Sequence, residues 1–311
     1  GKEYALGQSH EEVVTPLAKD IIKSYKDLPL ALYQINWKFR DELRAKSGIL
    51  RGREFEMKDM YSFHETQEDF DRFYQEVKDA YIRAYRDVGL TAKVTEASGG
   101  NFTDKISYEF MVLTDAGEDD IFYCPSCEFC VNSEISKVKE GENCPKCGDE
   151  KLKAGRGSEV GNVFDLGQKY VKDFKLTYTN ANGENKYPIM GCYGWGTTRT
   201  MGVIVEKTSD EKGIIWPVAI APYQVVIVSL RGMEEQAERL YNDLKDHNVE
   251  VLWDDRDDSP GSKFAAADLL GIPARLVLSE RNGDTIEWKN RTDDATELLD
   301  YDKVLMRLSQ L

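Results

Sequence analysis

The 311-residue chain is 41% hydrophobic and carries a formal net charge of −15. This length predicts roughly two domains, and the apolar fraction suffices for ordinary globular cores. The acidic balance argues against non-specific binding to nucleic acid, which depends on neutralising phosphates with Lys and Arg, so any contact with RNA should be local.

Neither a membrane span nor an export signal is predicted. The longest apolar runs, at residues 214–220 and 225–230, are far too short to cross a bilayer, and no basic-apolar-small leader opens the chain. We therefore expect a cytoplasmic protein with no membrane contact. The sequence begins without Met, directly in an alternating segment, and we expect that upstream residues are missing.

The first part of the chain predicts a helix, a hairpin and a second helix. Apolar residues at helical spacing indicate an amphipathic helix at residues 11–25. Two strand-like runs follow, at 31–43 and 55–63, and the polar loop 44–54 joins them into a long antiparallel hairpin. An apolar stripe then predicts a helix at 69–88 that packs on the sheet.

The middle of the chain contains a compact insert and a glycine-rich segment. Four cysteines punctuate residues 123–150, and residues 162–164 and 187–190 are strand-like. The segment 191–206 begins rich in glycine and continues as an apolar helix.

A composition shift at residues 217–222 marks a second domain. Beyond it, strand and helix patterns alternate, which predicts a βαβαβ unit with a mainly parallel sheet. The predicted elements are strand 225–230, helix 234–246, strand 249–253, helix 263–270 and strand 275–279. The pattern divides the chain into segments 1–122, 123–150, 151–216 and 217–311.

The hairpin is rich in arginine. It carries Arg40, Glu42, Arg44, Arg51 and Arg53. The planar guanidinium fork suits bidentate capture of phosphate or carboxylate, and alternation along an extended strand would place Arg40 and Glu42 on one face. Composition alone favours the alternative, a solvated hairpin whose charges pair with one another.

A second anion-binding pattern lies at residues 194–199. There two glycines precede Arg199 at the start of a predicted helix. Glycine lets the backbone approach a ligand closely, and a helix N-terminus attracts anions. The segment lacks the third glycine of a dinucleotide fingerprint and the Gly-Lys-Ser/Thr of a P-loop, so those nucleotide folds do not fit.

The cysteines indicate a metal site. Two Cys-x-x-Cys pairs, Cys124 with Cys127 and Cys144 with Cys147, have the spacing of a structural zinc ribbon with four thiolate ligands. Cys130 is a spare candidate ligand. The alternatives are four reduced structural thiols or, in a small secreted domain, a disulfide framework.

Together these motifs resemble a known enzyme family. The run FRDE at 39–42 and the segment 194–199, in that order, resemble motifs 2 and 3 of class II aminoacyl-tRNA synthetases. The runs RGREFEMKDMYSF at 51–63 and MGCYG at 190–194 look like the bacterial prolyl-tRNA synthetase versions.

Two further segments extend the resemblance over nearly the whole chain. GQSHEE at 7–12 is similar to the family's amino-acid loop, usually GPTHEE. Residues 222–291, with DDR at 254–256 and PGSKF at 260–264, resemble the anticodon-binding domain shared by the prolyl, threonyl, histidyl and glycyl enzymes. The resemblance implies an α+β fold: an antiparallel catalytic sheet with flanking helices, a small zinc-binding insert at 123–150, and an α/β anticodon-binding domain at 217–311.

The resemblance also implies site residues, position by position. Arg40 would bind the α-phosphate of ATP and the substrate carboxylate, and Arg199 would hold the outer phosphates, so both are catalytic. The full ATP site would comprise Arg40, Glu42, Arg51, Arg53, Glu159, Asn162, Gly194, Gly196 and Arg199. The proline site would comprise Ser9, Glu11, Arg40, Asp59, Phe164 and Cys192, with Glu11 accepting the ammonium. Arg256 and Lys263 would contact the tRNA anticodon.

The implied chemistry is formation of prolyl-adenylate with ATP and Mg²⁺, followed by transfer to tRNA(Pro). It needs positioning and charge stabilisation rather than a side-chain nucleophile. Consistent with this, His10 lies in the substrate loop, and His64 and His247 are expected at the surface.

The sequence departs from the family pattern in places, and the resemblance carries further expectations. Ser9 stands where the family usually has Thr, and Trp195 where a small aliphatic residue is common. The insert between motifs 2 and 3 is far too short for the large editing domain of typical bacterial prolyl enzymes, so editing in cis should be absent. A homodimer is expected for the full-length protein, through a motif 1 region that should precede residue 1.

Two alternatives stay open. A sister synthetase for threonine, glycine or histidine shares the general motifs, although the runs at 58–63 and 191–193 favour proline. A non-catalytic, synthetase-like RNA-binding protein would share the domains, although it would not need Arg40, Glu42 and Arg199 together.

Overall fold

The structure is a computed structural model that describes residues 2–309. The chain forms two compact units, Gly1–Val203 and Ile204–Leu311. In the described residues, no helix is both long enough and apolar enough to cross a lipid bilayer.

The first unit is built on an eight-stranded sheet. Its elements in chain order are α1 (Glu11–Ile21), β1 (Leu30–Phe39), β2 (Glu54–His64), α2 (Gln67–Asp87), β3 (Ala92–Ser98), β4 (Ile106–Leu113), β5 (Asp119–Tyr123), β6 (Cys130–Asn132), β7 (Lys153–Gly167), α3 (Lys169–Asp173), β8 (Tyr178–Thr179), β9 (Asn185–Lys186), β10 (Ile189–Gly196) and α4 (Thr197–Lys207). The large sheet has the order β1-β2-β10-β7-β4-β3-β6-β5, and β8 and β9 form a separate pair. Every pairing in the large sheet is antiparallel except the short contact of β3 with β6, which confirms the predicted antiparallel sheet.

The predicted hairpin forms, but its first strand is shorter than expected. β1 pairs with β2 from Leu30 opposite Phe63 to Phe39 opposite Glu54. The strand ends at Phe39, and the backbone N–H of Glu42 donates to the carbonyl of Arg40 in a tight turn. The expectation that Arg40 and Glu42 share one face of an extended strand is therefore wrong.

Helix α2 covers one face of the sheet. The Thr66 hydroxyl caps its N-terminus, and its buried stripe consists of Phe70, Tyr74, Val77, Tyr81 and Tyr85. These rings pack against residues of β10, where Tyr85 stacks on Trp195 with ring centroids 3.9 Å apart. Since side chains alternate along a strand, the β10 residues on either side of Trp195 face the opposite side of the sheet.

His64 is a core residue, not the surface residue predicted from the sequence. It is fully buried at the end of β2, and its Nδ1 lies 2.6 Å from the Asp69 carboxylate at the start of α2. The ring also packs against Phe70 and Phe73. Burial with a carboxylate partner makes it a link between strand and helix.

The second unit has a five-stranded sheet. Its elements are β11 (Ser209–Asp210), β12 (Gly213–Ile214), β13 (Val225–Ser229), α5 (Glu234–Asp246), β14 (Val251–Asp254), α6 (Pro260–Leu270), β15 (Ala274–Leu278), β16 (Ile286–Asn290), β17 (Glu297–Leu299) and α7 (Tyr301–Leu308). The sheet order is β14-β13-β15-β16-β17, with the first three strands parallel. This confirms the predicted βαβαβ unit, and β16 and β17 extend it with antiparallel pairings that were not predicted.

Candidate active site

One row of register positions across the large sheet builds the floor of the site. Asp59 on β2 lies opposite Gly194 on β10, Gly194 lies opposite Asn162 on β7, and Asn162 lies opposite Glu109 on β4. Residues in register on neighbouring strands point to the same face, so segments far apart in sequence converge here.

A cleft of about 320 Å³ lies over this row. It brings together most of the residues predicted from the sequence: Ser9, Glu11, Arg40, Asp59, Glu159, Asn162, Phe164, Cys192, Gly194, Gly196 and Arg199. Glycine suits position 194 because a Cβ there would come within 3.0 Å of the Met57 Cε atom and project into the cleft. Residues of three sequence motifs thus line one cleft over this face of the sheet.

Glu11 lies at the base of the cleft, at the start of α1. Only 2% of its surface is exposed. The Ser9 hydroxyl donates to one carboxylate oxygen, and the Cys192 thiol donates to the other across 3.3 Å. Burial, and then the charge of Glu11, raise the pKa of the Cys192 thiol well above its ordinary value, so it stays protonated and can donate.

Asp59 is buried beside a lysine that the sequence reading did not identify. The Lys38 ammonium, 1% exposed, lies 2.6 Å from the Asp59 carboxylate. The His10 ring lies 3.7 Å from the same carboxylate and contacts the Gln34 amide at 2.6 Å. Burial, and then the charge of Lys38, lower the pKa of His10, which favours its neutral form.

Two arginines from different sequence motifs, Arg40 and Arg199, line the cleft. Arg40 is exposed, its guanidinium lies 5.1 Å from the centre of the Phe55 ring, and its Nε donates to the carbonyl of Gln8 over 3.1 Å. Arg199 donates from Nε to the carbonyl of Leu50 and from Nη1 to that of Glu159, at 2.8 and 2.9 Å. These bonds hold each guanidinium in place and leave further N–H groups for a ligand.

Three predicted ATP residues lie outside the cleft lining. Arg51 forms ion pairs with Glu42 at 2.8 Å and with Glu118. The backbone N–H of Arg44, and then Arg51, lower the pKa of Glu42. Arg53 donates to the carbonyl of Glu42 over 3.0 Å. As placed, these side chains stabilise the hairpin loop through contacts with one another.

Two partly buried acids near Glu159 were not predicted from the sequence. Glu109 lines the cleft, and burial together with the charge of Glu159 raises its pKa to about 8. The same two causes raise the pKa of Asp119 to about 6. The pairing of β4 with β7 places Glu109 here, and no local sequence signal marks it.

The four predicted metal ligands converge in the insert. The Sγ atoms of Cys124, Cys127, Cys144 and Cys147 all lie within 4.8 Å of one another. Burial acts to raise the pKa of Cys144, but the backbone N–H groups of Cys147 and Lys146 outweigh it and lower this pKa to about 6. Cys130 is separate, and its Sγ accepts the Thr95 hydroxyl at 3.1 Å. The cluster supplies four sulfur donors in one place.

The two residues predicted to contact the anticodon differ in position. Arg256 is exposed and forms an ion pair with Asp254 at 2.7 Å. Lys263 is only 5% exposed, and its ammonium donates to the backbone carbonyls of Ser229 and Asp254 at 2.8 and 3.1 Å. As placed, Lys263 ties the ends of β13 and β14 to α6 and does not offer its ammonium to RNA.

Comparison with known proteins assigns two segments of the chain to described families. Residues 1–208 match the family described as tRNA synthetase class II core domain (G, H, P, S and T). Residues 224–311 match the family described as anticodon binding domain.

Several curated proteins are similar over nearly the whole chain. A proline--tRNA ligase from Anaplasma marginale (strain St. Maries) is 38% identical over 326 residues, covering 99% of this chain and 76% of the relative. A proline--tRNA ligase from Wolbachia sp. subsp. Drosophila simulans (strain wRi) is 37% identical over 322 residues, with the same coverage. One from Halothermothrix orenii is 33% identical over 435 residues, covering 91% of this chain and 76% of that protein. That alignment is longer than this 311-residue chain because the relative carries internal residues with no counterpart here.

Proposed function

This chain belongs to the class II aminoacyl-tRNA synthetases and, within them, to the proline--tRNA ligases, and we propose that it activates proline with ATP and attaches it to tRNA(Pro). The carrying observation is that Glu11, Arg40 and Arg199, from three separate motifs, line one cleft. A buried carboxylate and two guanidinium groups in one cleft fit the ammonium of an amino acid, its carboxylate and a phosphate chain.

In the first step, the proline carboxylate attacks the α-phosphate of ATP and pyrophosphate leaves. We assign Glu11 to the ammonium, Arg40 to the carboxylate and α-phosphate, and Arg199 to the outer phosphates. In the second step, the terminal ribose hydroxyl of tRNA attacks the carbonyl carbon of the adenylate and AMP leaves. Orientation and fixed positive charge supply the rate in both steps, without a side-chain nucleophile.

Bound Mg²⁺ would neutralise the charge that develops on the phosphates. Glu159 and Glu109 would hold it: both line the cleft, and burial together with the charge of Glu159 raises the pKa of Glu109, which a nearby cation would counter. To contact the outer phosphates, Arg51 would have to leave its carboxylate partners when ATP binds. We propose this role for Arg51, and we propose that Glu42 and Arg53 also contribute to the ATP site.

Proline is favoured over the sister substrates. The class II family description covers several amino acids, but the relatives reported above are all proline--tRNA ligases. No comparison favours the threonyl, glycyl or non-catalytic alternative. The direct test is charging of tRNA(Pro) with labelled proline by the full-length protein; charging with threonine or glycine in its place would contradict the proposal.

We place the reaction in the cytoplasm, where ATP, tRNA and free amino acids meet. For the anticodon, Arg256 is the better placed of the two candidates because its guanidinium is exposed. Lys263 takes the supporting role that its two backbone carbonyl partners indicate.

We propose that the cysteine cluster binds a structural Zn²⁺. The distances between Sγ atoms are 3.7 Å for Cys124 with Cys147 and 3.5 Å for Cys127 with Cys144. Four thiolates around Zn²⁺, with bonds of about 2.3 Å in a tetrahedron, lie about 3.8 Å apart. The donor set and its spacing therefore suit this metal.

Cys144→Ser is expected to release zinc and loosen the insert, because three thiolates do not close the tetrahedral site. Metal analysis should find about one equivalent in the unchanged protein and far less in the variant, and Cys130→Ser should retain its zinc. Less than about half an equivalent in unchanged protein purified without chelator would count against the site.

We propose that the full-length protein is a homodimer and that β1 forms part of its interface. β1 is an edge strand of the large sheet. On one face of this strand Tyr33, Ile35 and Trp37 are 73, 58 and 46% exposed. An apolar edge strand of this length invites pairing, and a second copy would cover it.

Ile35→Glu is expected to weaken the dimer, since it places a charge on the apolar edge. Sedimentation analysis of the full-length protein should show a shift towards monomer. Ile106→Glu is the matched control, because Ile106 is 47% exposed on a different strand. A monomeric unchanged protein, or equal effects of the two substitutions, would refute this interface.

A further inference from the structure

The amino-acid side of the cleft contains more charge than one amino acid requires. Glu11, Asp59 and Lys38 all line it, and they are 2, 4 and 1% exposed. An amino acid with a neutral side chain brings only one ammonium and one carboxylate, and Arg40 is available for the carboxylate. Two buried carboxylates facing one ammonium would leave an unbalanced charge, which is costly in a buried site.

Lys38 resolves this imbalance at Asp59. Its ammonium lies 2.6 Å from the Asp59 carboxylate and donates to the carbonyl of Asn36 at 3.3 Å. Two other basic groups lie near Asp59. His10 adds no charge when its ring is neutral, and the Gln34 amide contacts its Nδ1. The Lys58 ammonium is directed elsewhere, since it donates to the Tyr81 hydroxyl and to the carbonyl of Tyr193. The Lys38–Asp59 pair is therefore neutral as a unit.

Glu11 has a different set of partners. Its carboxylate accepts from the Ser9 hydroxyl and the Cys192 thiol, which are both neutral donors. Throughout the described part of the chain, no lysine, arginine or histidine nitrogen lies within 4.0 Å of it. Of Glu11, Asp59 and Lys38, Glu11 is thus the one whose charge has no charged partner.

We propose that Lys38 is a positioning residue, which neutralises Asp59 and so leaves Glu11 as the single anionic partner for the amine of the bound amino acid. The inference rests on the proposed function, since it concerns the same pocket. It assigns Asp59 to holding Lys38 rather than to binding the ammonium directly, and it fits an amino acid with an uncharged side chain.

The test is amino-acid-dependent ATP–pyrophosphate exchange by full-length variants. In Lys38→Met, the unpaired Asp59 competes with Glu11 for the ammonium and draws proline out of the reacting geometry. The exchange kcat is expected to fall at least about tenfold while the KM for proline changes less than about threefold. In Asp59→Asn, the unpaired Lys38 repels the ammonium, so the KM for proline should rise at least about tenfold with a smaller change in kcat.

The double variant Lys38→Met/Asp59→Asn removes both charges and is expected to recover most of each loss, while the KM for ATP stays within about threefold in all variants. Lys38→Arg keeps the charge and should retain a higher kcat than Lys38→Met. If Lys38→Met does not fold, Lys38→Arg and Asp59→Asn still test the inference. Additive losses in the double variant, or equal losses for Lys38→Arg and Lys38→Met, would overturn the inference alone. Absence of exchange in the unchanged protein would refute the proposed function as well.

Discussion

Arg40→Ala is expected to lower the rate of prolyl-adenylate formation by about a thousandfold, because it removes the group assigned to both reacting partners. The Arg40 guanidinium stands over the Phe55 ring and donates through Nε to the carbonyl of Gln8, so its outer N–H groups are held towards the cleft. Single-turnover formation of the adenylate measures this step directly.

The same variant should bind tRNA nearly as well as the unchanged protein, since the anticodon-binding domain begins far along the chain at residue 224. Arg83→Ala is a suitable control, because Arg83 is an exposed arginine of α2 that does not line the cleft. Equal loss of tRNA binding and adenylate formation would show that Arg40 has a different role.

Arg199→Ala is expected to lower kcat/KM for ATP by about a hundredfold. Arg199 enters the cleft from the first turn of α4, and its bonds to the carbonyls of Leu50 and Glu159 fix the plane of the guanidinium. Removing it takes away a positive charge at the outer phosphates and frees two backbone carbonyls that it holds.

Arg199→Lys separates these two contributions. Lysine keeps the charge but lacks the planar fork, so an intermediate kcat/KM for ATP is expected. Thermal unfolding of both variants controls for the lost backbone contacts. Unchanged ATP kinetics in a folded Arg199→Ala variant would exclude the assigned role.

The periodic elements were predictable from the sequence because their signal is local. The βαβαβ order of the second unit was confirmed, as was α2, whose apolar stripe is continuous along the helix. The added strands β16 and β17, and the placement of β3 to β6, depend on pairing between distant segments, which single-sequence periodicity does not encode.

Site residues could be predicted where they lie in a recognisable sequence motif. They could not be predicted where only the pairing of strands brings them into the site. Glu11, Arg40 and Arg199 lie in recognisable runs, and the cleft brings them together. No local sequence motif identifies Lys38 or Glu109. A lysine in a strand ordinarily faces solvent, and the burial of Lys38 is explained only by its ion pair with Asp59. The strand end at Phe39 likewise results from the turn at Arg40 and Glu42, which alternation alone does not reveal.

The central claim is that the cleft activates proline. Amino-acid-dependent ATP–pyrophosphate exchange by the full-length protein, with proline, threonine, glycine and histidine compared at equal concentration, tests it most directly. Exchange with proline and only background with the other three is the predicted result. Exchange with threonine, glycine or histidine but not with proline would contradict the assignment of proline as the substrate. Exchange with none of the four would contradict the assignment of a synthetase activity.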